Sequence, residues 1–179
     1  AIEFYEQALV IASEIGDRKG EGIELGRLGL AYADLSDMRK AINFYEQALV
    51  IAREIGDKYN EGTWLGNLGN AYVALGDARK AIEFYEQTLT ITRQIGIRRS
   101  EATALKNIGD SFLNLEEYKK AKENHSQSIQ VADEILFPFI QQSGHNGLAK
   151  IYLFQNDLVN ACTTIEAALQ YEVPENNHN

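Results

Sequence analysis

The sequence has few of the residues and patterns that mark several large classes of protein. Its 179 residues include one cysteine and two prolines, and no apolar run approaches the roughly 18 residues of a membrane helix. A single cysteine, Cys162, cannot form a disulfide within the chain. We therefore exclude a disulfide-stapled scaffold and, because a lone cysteine fits a reducing compartment, expect a cytoplasmic location. No secretory signal pattern is present, and we expect no association with a membrane.

Basic residues and catalytic motifs are scarce as well. Lys and Arg number 17 against 26 Asp and Glu, which gives a net charge of -9. Binding to nucleic acid requires a basic surface that displaces counterions, so we expect no nucleic-acid partner. The sequence lacks a phosphate-binding loop, a His-Glu-x-x-His pair, paired cysteines and a Gly-x-Ser-x-Gly turn. We expect no catalytic residue, no metal site and no cofactor, and therefore a protein that is not an enzyme.

A repeat takes the place of these features. The stretch "AIEFYEQALVIASEIGD" at Ala1 returns as "AINFYEQALVIAREIGD" at Ala41 and as "AIEFYEQTLTITRQIGI" at Ala81, so the period is 40 residues. Periods between roughly 20 and 50 residues are typical of stacked repeat architectures. Apolar residues within one period are three or four apart, as at Leu25 and Leu28, which predicts amphipathic helices.

Turn signals divide each period into two helices. Asp37 and Asp77 stand where a side chain can cap the second helix, and Gly16 and Gly56 suit the left-handed position that ends a helix. The turns are short, so neighbouring helices are expected to be antiparallel. A single hairpin cannot bury its own apolar face, and stacking of hairpins is the expected solution.

These residues resemble the tetratricopeptide repeat. The family pattern is matched here by Leu25, Leu28, Gly29, Tyr32, Ala41, Tyr45 and Ala48. The stretch "LGNLGNAYVALGD" from Leu65 is similar to the extended repeats of Pins or Leu-Gly-Asn-repeat adaptors and of bacterial signalling proteins. The resemblance implies an all-α fold, a right-handed α-solenoid of stacked antiparallel hairpins.

We expect a single array of repeats over residues 1–172. Its parts are a second helix at 1–15 that lacks its own first helix, and repeats at 18–55, 58–95, 98–135 and 138–172, followed by a polar tail at 173–179. The chain starts inside a repeat, so we expect it to be a piece of a longer protein. Pro138 is expected in the first turn of a helix. The fourth repeat departs most from the pattern and is expected to cap the stack.

Several residues that could suggest chemistry are interpreted as structural. His125, His145 and Cys162 align with apolar packing positions, so we interpret all three as partly buried core residues rather than as ligands or nucleophiles. Acidic residues near the helix ends are interpreted as part of a solvated outer surface: Glu14, Glu21, Glu54 and Glu61.

The resemblance also implies where a partner would bind. In tetratricopeptide proteins the first helix of each hairpin lines a concave groove, and the positions around the Leu-Gly pair point into it. The peptide-binding residues carried over in this way are Arg27, Asn67, Asn70, Lys106, Asn107, Asp110, Asn146 and Lys150. Three cations against one carboxylate favour an acidic ligand, and Gly26 and Gly66 are expected to leave the groove floor open. The alternative is that the asparagines only bond neighbouring helices or water.

The sequence therefore predicts a protein-protein interaction scaffold that binds a peptide segment of a partner in the concave groove. A second hypothesis is a regulatory or sensor arm of a larger signalling protein or enzyme, with the catalytic domain outside this chain. A third is self-association through the N-terminal helix, whose face at Phe4, Leu9 and Ile11 lacks a covering first helix.

Overall fold

The chain folds into helices joined by turns of constant length. The computed structural model describes residues 1–171, and within that range it has nine α-helices and no strand. From Arg18 onward a helix begins every 20 residues, after a turn of three residues. The helices are α1 (Ile2–Glu14), α2 (Arg18–Asp34), α3 (Met38–Glu54), α4 (Lys58–Ala74), α5 (Ala78–Gln94), α6 (Arg98–Asn114), α7 (Tyr118–Glu134), α8 (Pro138–Phe154) and α9 (Leu158–Leu169). The all-α helical-repeat fold predicted from the sequence is confirmed.

The helices end in a left-handed residue at the middle of each turn. Gly16, Gly56, Gly76 and Gly96 take this position with φ between 71° and 79°. Glycine adopts such angles without steric cost because it has no Cβ. The same position is held by residues that do carry a Cβ in four other turns: Ser36, Glu116, Leu136 and Asn156. The geometry of the turn is therefore kept where the glycine is lost.

Aspartates cap most of the helices. Asp37 accepts a hydrogen bond from the backbone N–H of Lys40 at 3.2 Å, and Asp77 accepts one from Lys80 at 3.0 Å, as the sequence predicts. The helices α6, α7 and α8 lack such a cap, because Ile97, Glu117 and Phe137 stand at the equivalent position without a capping side-chain bond. Pro138 lies in the first turn of α8, as expected.

The described helices belong to two compact units. Unit 1 is Ala1–Ile95 and contains α1 to α5, and unit 2 starts at Gly96 and contains α6 to α9. Consecutive helices within each unit pack against one another. The expectation of one uninterrupted array with the repeat bounds given above stays a prediction, and its polar tail lies outside the described residues.

The core of unit 1 is built on aromatic rings that cover glycines. The ring of Tyr45 lies against Gly29 and is stacked with Trp64 at a centroid distance of 6.2 Å. Trp64 in turn covers Gly26, where an added Cβ would lie 2.1 Å from the indole ring. The expectation that Gly26 leaves an open groove floor is therefore wrong, because the next first helix places Trp64 on it.

Unit 2 uses a histidine in the corresponding place. His125 of α7 is fully buried, and its ring lies between Gly109 of α6 and Gly147 of α8. An added Cβ at Gly147 would lie 2.4 Å from the ring. Gly147 therefore belongs to the packing between helices, as does Gly144, which faces Ile129.

A carboxylate expected on the surface is buried at the junction of α3 and α4. Glu61 is 6% exposed, and it accepts hydrogen bonds from Lys58 at 2.6 Å and from Arg53 at 3.0 Å. Burial would raise the pKa of Glu61, but the two cations outweigh it and hold the pKa below its ordinary value. The interpretation of Glu61 as a solvated surface residue was wrong, since the preceding second helix supplies Arg53 as a partner.

The last described helix contradicts one further expectation. Cys162 lies exposed on α9, although it aligns with Ile42, which is half-buried, and with Ile82, which is buried. The described part of the chain packs no further helix against that face of α9.

Among the described residues, no helix has the length and apolar character needed to cross a membrane.

Candidate functional site

The predicted groove residues lie on the first helices of the hairpins, in two groups. The first stripe consists of Arg27 on α2 and Asn67 and Asn70 on α4, all in unit 1. The second stripe, in unit 2, consists of Lys106, Asn107 and Asp110 on α6 and Asn146 and Lys150 on α8. All eight side chains are at least partly accessible, whereas the pair at the Leu-Gly position is buried in α2, α4 and α6, as Leu28-Gly29, Leu68-Gly69 and Ile108-Gly109.

Arg27 has an acidic neighbour on its own helix. Its guanidinium donates a hydrogen bond to Oε1 of Glu24 at 2.6 Å, and the Glu24 side chain is only 12% exposed. The other carboxylate oxygen of Glu24 is buried without a hydrogen-bond partner among the described residues. Arg27 is therefore held at the base of the first stripe by a carboxylate that the sequence interpretation did not include.

Asn70 bonds a tyrosine of the following helix. The hydroxyl of Tyr85 on α5 donates a hydrogen bond to Oδ1 of Asn70 at 2.7 Å. This contact occupies the oxygen of the amide, which is exposed, and leaves its NH₂ group available as a donor. The oxygen of Asn70 therefore bonds a neighbouring helix, as the alternative interpretation of the asparagines expects. Its nitrogen is not used in this bond.

The second stripe contains an ion pair. Lys106 Nζ lies 2.9 Å from Oδ2 of Asp110, one turn along α6, and 3.4 Å from Oδ1 of Asn107. The Lys106 side chain is 22% exposed and that of Asp110 is 41% exposed. Lys150 is exposed on the neighbouring helix α8. The positive charge of this stripe is therefore partly neutralised on α6 and accessible on α8.

The buried side chain of His125 lies next to Asp110 of the second stripe. Its Nε2 lies 3.6 Å from Oδ1 of Asp110, and neither ring nitrogen has a hydrogen-bond partner among the described residues. Burial lowers the pKa of His125; Asp110 opposes this change, and Lys106 and Lys150 add to it. The ring is therefore a buried base beside the stripe.

The sequence interpretation placed His125 in the core, and its burial confirms that placement. The interpretation did not include the contact between His125 and Asp110. A signal was present: the two positions of the Tyr85 and Asn70 pair are occupied, 40 residues later, by His125 and Asp110. A joint change at two contacting repeat positions would have indicated a polar pair.

No cluster of three or more potential metal ligands of the His, Cys, Asp and Glu types occurs among residues 1–171. His145, the second histidine inside the repeats, is stacked on Tyr171 at a centroid distance of 5.9 Å. Burial also lowers the pKa of His145. The polar groups that the two stripes offer a ligand are therefore amides, two lysines, one arginine and one carboxylate.

Comparison with known proteins agrees with this architecture. Residues 22–94 match the family model of the tetratricopeptide repeat. This part of the chain is a tetratricopeptide repeat region. No curated protein sequence matches it.

Solved structures share this all-helical repeat fold over nearly the whole chain. BtubC from P. vanneervenii is 21% identical with a TM-score of 0.83, over 99% of this chain and 75% of its own. RapI in its apo form is 19% identical with a TM-score of 0.87, over 95% of this chain and 47% of its own. A STAND signal transduction ATPase from Pyrococcus horikoshii, which has a tetratricopeptide repeat sensor, is 24% identical with a TM-score of 0.84, over 95% and 26%. At these identities the similarity shows the fold alone.

Proposed function

We propose that this tetratricopeptide repeat chain is a non-catalytic interaction module whose stripes, one in each unit, bind acidic peptide segments of a partner protein. The observation that carries the proposal is the accessibility pattern of the first helices. In α2, α4 and α6 the pair at the Leu-Gly position is buried in the packing, while the flanking polar side chains are not needed for the core and remain accessible. In the family, these positions face the concave groove.

The chemistry of the stripes suits a peptide. An asparagine amide has both a donor and an acceptor, so Asn67 and Asn107 can bond a peptide backbone without selecting its side chains. Lysines bind carboxylates through charge-assisted hydrogen bonds, and Lys150 is the most accessible cation of the second stripe. Backbone clamping combined with carboxylate binding favours a segment rich in Asp or Glu.

Selection from a displayed library of random peptides tests the proposal. The chain is expected to enrich acidic peptides, and the double variant Asn70→Ala with Asn107→Ala is expected to lose that enrichment while keeping its helical circular dichroism. Tyr85→Phe is the matched control, because it removes the hydroxyl that bonds Asn70 but keeps the amide. Equal enrichment by the chain and by the double variant would exclude the stripes as the binding site.

A second candidate is a regulatory or sensor arm of a larger signalling protein or enzyme. The chain spans 26% of the STAND ATPase and 47% of RapI, so a protein of that size would have room for further domains. In the STAND ATPase the tetratricopeptide repeats form a sensor. The test is the complete coding sequence: a nucleotide-switch, kinase, nuclease or protease domain favours the arm, and a gene of repeats alone favours the free scaffold.

Self-association through α1 is a third candidate, supported by its exposed apolar residues. Phe4 is 74% and Ile11 is 57% exposed, whereas Ile51, the equivalent of Ile11 one repeat later, is 4% exposed. Sedimentation velocity across a range of concentrations tests this. Phe4→Ser with Ile11→Ser is expected to abolish any dimer, and Val50→Ser, at another exposed apolar position, is the control. A strictly monomeric chain excludes the idea.

We also propose a cytoplasmic location. The exposed thiol of Cys162 supports it, since an accessible free cysteine is prone to intermolecular oxidation in an oxidising compartment. Localisation of the tagged protein in its native cell is the test.

A further inference from the structure

The carboxylate of Asp110, where α6 packs on α7 in unit 2, lies next to a lysine on one side and a histidine on the other. Oδ2 of Asp110 lies 2.9 Å from Nζ of Lys106, and Oδ1 lies 3.6 Å from Nε2 of His125. The first distance is that of a formed ion pair, and the second is slightly too long for a hydrogen bond. Asp110 is thus bonded to the lysine and stands next to the histidine without bonding it.

The ring of His125 has hydrogen-bonding capacity that the described residues do not use. It is fully buried, and neither ring nitrogen has a hydrogen-bond partner among the described residues. Buried polar groups in native proteins are nearly always paired, so an unpaired imidazole indicates a function or a second state of the site. The charged groups that act on it are Asp110 and Lys106 from α6 and Lys150 from α8.

We propose that Asp110 is an exchangeable counter-ion of the second stripe. In the free protein it neutralises Lys106, and when an acidic ligand binds Lys106 and Lys150 it pairs instead with His125, which takes up a proton. This inference rests on the function proposed above, and it adds that ligand binding is coupled to protonation of a buried residue. The proton comes from solvent, and no covalent bond between heavy atoms is made or broken.

The electrostatics give the direction of the coupling. In the free protein, burial and the two lysines hold the pKa of His125 below its ordinary value of 6.5. Ligand carboxylates that neutralise the lysines remove part of this effect and release Asp110, so the pKa of His125 rises on binding. Because linkage is reciprocal, the affinity for an acidic ligand must rise as the pH falls through this range.

The first stripe supplies an internal comparison. There the equivalent positions hold Asn70 and Tyr85, which form a neutral hydrogen bond of 2.7 Å. This pair contains no imidazole, so the first stripe is expected to bind without proton uptake. Coupling should therefore depend on the second stripe.

The experiment is calorimetric titration of the full chain with a capped hexaglutamate peptide. Binding is measured at about pH 6 and about pH 8, on either side of the range in which histidine titrates. Each pH is examined in two buffers of different ionisation enthalpy, which reports the protons taken up. A pKa rise of half a unit to one unit would tighten binding at the lower pH by at most roughly 3- to 10-fold. In parallel, the proton resonance at Cε1 of His125 is followed by NMR, and its pKa is expected to rise when the peptide is added.

Three variants separate the steps. His125→Gln should bind hexaglutamate without net proton uptake, and His145→Gln should behave like the parent chain. Asp110→Asn should bind more tightly at the higher pH, since Lys106 is then free, and should lower the pKa of His125 without ligand. This last measurement needs no peptide, and it remains informative if His125→Gln fails to fold.

The outcomes distinguish the two proposals. Hexaglutamate binding that is equally pH-dependent in His125→Gln overturns the exchange and leaves acidic-peptide binding intact. An unchanged pKa of His125 in Asp110→Asn also overturns the exchange. Absence of hexaglutamate binding at every pH contradicts the acidic-ligand function and the exchange with it.

Discussion

The two units place different chemistry at the same repeat positions. In unit 1, Tyr85 donates to Asn70 in a neutral hydrogen bond, and burial raises the pKa of the equivalent Tyr45 to about 12. In unit 2, the same positions hold His125 and Asp110, a buried base beside a carboxylate, and histidine titrates near neutral pH. A repeat can therefore keep a contact between two helices while changing it from a fixed bond into a titratable one.

The turns differ between the units in a similar way. In unit 1, α2 to α5 all have an aspartate cap, and three turns contain a left-handed glycine. In unit 2, α6, α7 and α8 lack the cap, and Glu116, Leu136 and Asn156 adopt the left-handed angle. Helix lengths are nonetheless the same for α2 to α8. Packing between helices thus determines the fold where local turn signals are absent. Four predictions test the comparison between unit 1 and unit 2.

The largest effect is expected at a pair of equivalent glycines in unit 1. Gly26→Ala places a Cβ 2.1 Å from the rigid Trp64 ring, whereas Gly66→Ala meets only ordinary contacts, the nearest at 3.8 Å. Gly26→Ala is expected to destabilise by about 3 kcal/mol through overpacking. Gly66→Ala is expected to stabilise by up to about 1 kcal/mol through helix propensity. Urea denaturation measures both, and equal effects would show that Trp64 moves freely.

The second prediction concerns the pH dependence of stability. The pKa of His125 is lowered in the folded state, so its neutral form is favoured by folding. The unfolded chain then binds more protons, and stability is full above the ordinary pKa of 6.5 and falls as the pH drops below it. The loss is at most about 1.4 kcal/mol per pH unit for each proton. His145 contributes in the same direction, since burial lowers its pKa too.

Urea titrations at several pH values between neutrality and mild acid separate the two histidines. His125→Gln should flatten the dependence more than His145→Gln does, because His125 is the more deeply buried of the two. Parallel curves for the parent chain and His125→Gln would contradict the placement of the ring between α6 and α8.

The third prediction compares Glu61 with Gln141, its equivalent two repeats later. Gln141 bonds Asp133 at 2.6 Å, so the acceptor and donor roles are reversed relative to Glu61 and Arg53. Glu61→Gln removes the charge but keeps the shape, and is expected to cost about 1 kcal/mol because both cations are partly exposed. The pKa of Glu61 is lowered, so this contribution is present above its ordinary pKa of 4.5 and is lost as the pH falls further. Thermal unfolding at neutral and at acidic pH checks it.

The smallest effect is expected at the turn before α8. Leu136 has φ of 52° and is 82% exposed, so its side chain contributes strain and little packing. Leu136→Gly should stabilise unit 2 by about 1 kcal/mol. Leu136→Ala, which keeps the Cβ, is the control and should give no comparable gain. A destabilised glycine variant would mean that Leu136 makes a contact that matters.

Much of the fold could be predicted from the sequence because its signals are local. The period of 40 residues, the caps at Asp37 and Asp77 and the left-handed glycines at Gly16 and Gly56 all act within one hairpin. Their positions in the sequence determine where helices begin and end, and the structure agrees.

The contacts between successive hairpins could not be predicted in the same way. Trp64 covers Gly26 from 38 residues away, and the repeat pattern does not foretell it, since Glu24, Ala104 and Gly144 hold the position of Trp64 in the other repeats. Burial of Glu61 depends on Arg53 of the preceding hairpin in the same manner. The stripes were chosen by family resemblance, and their role as a binding site stays a prediction.

The constant spacing of the helices has a consequence for how such a chain can change. Each turn has three residues and each repeat has 40. Duplicating, deleting or exchanging one hairpin therefore leaves the register of every other helix unaltered. The stripes lie entirely on first helices, which are bounded by turns on both sides. Recombination at the two turns that flank a first helix can therefore replace the residues that contact a ligand, while the second helices keep their sequence.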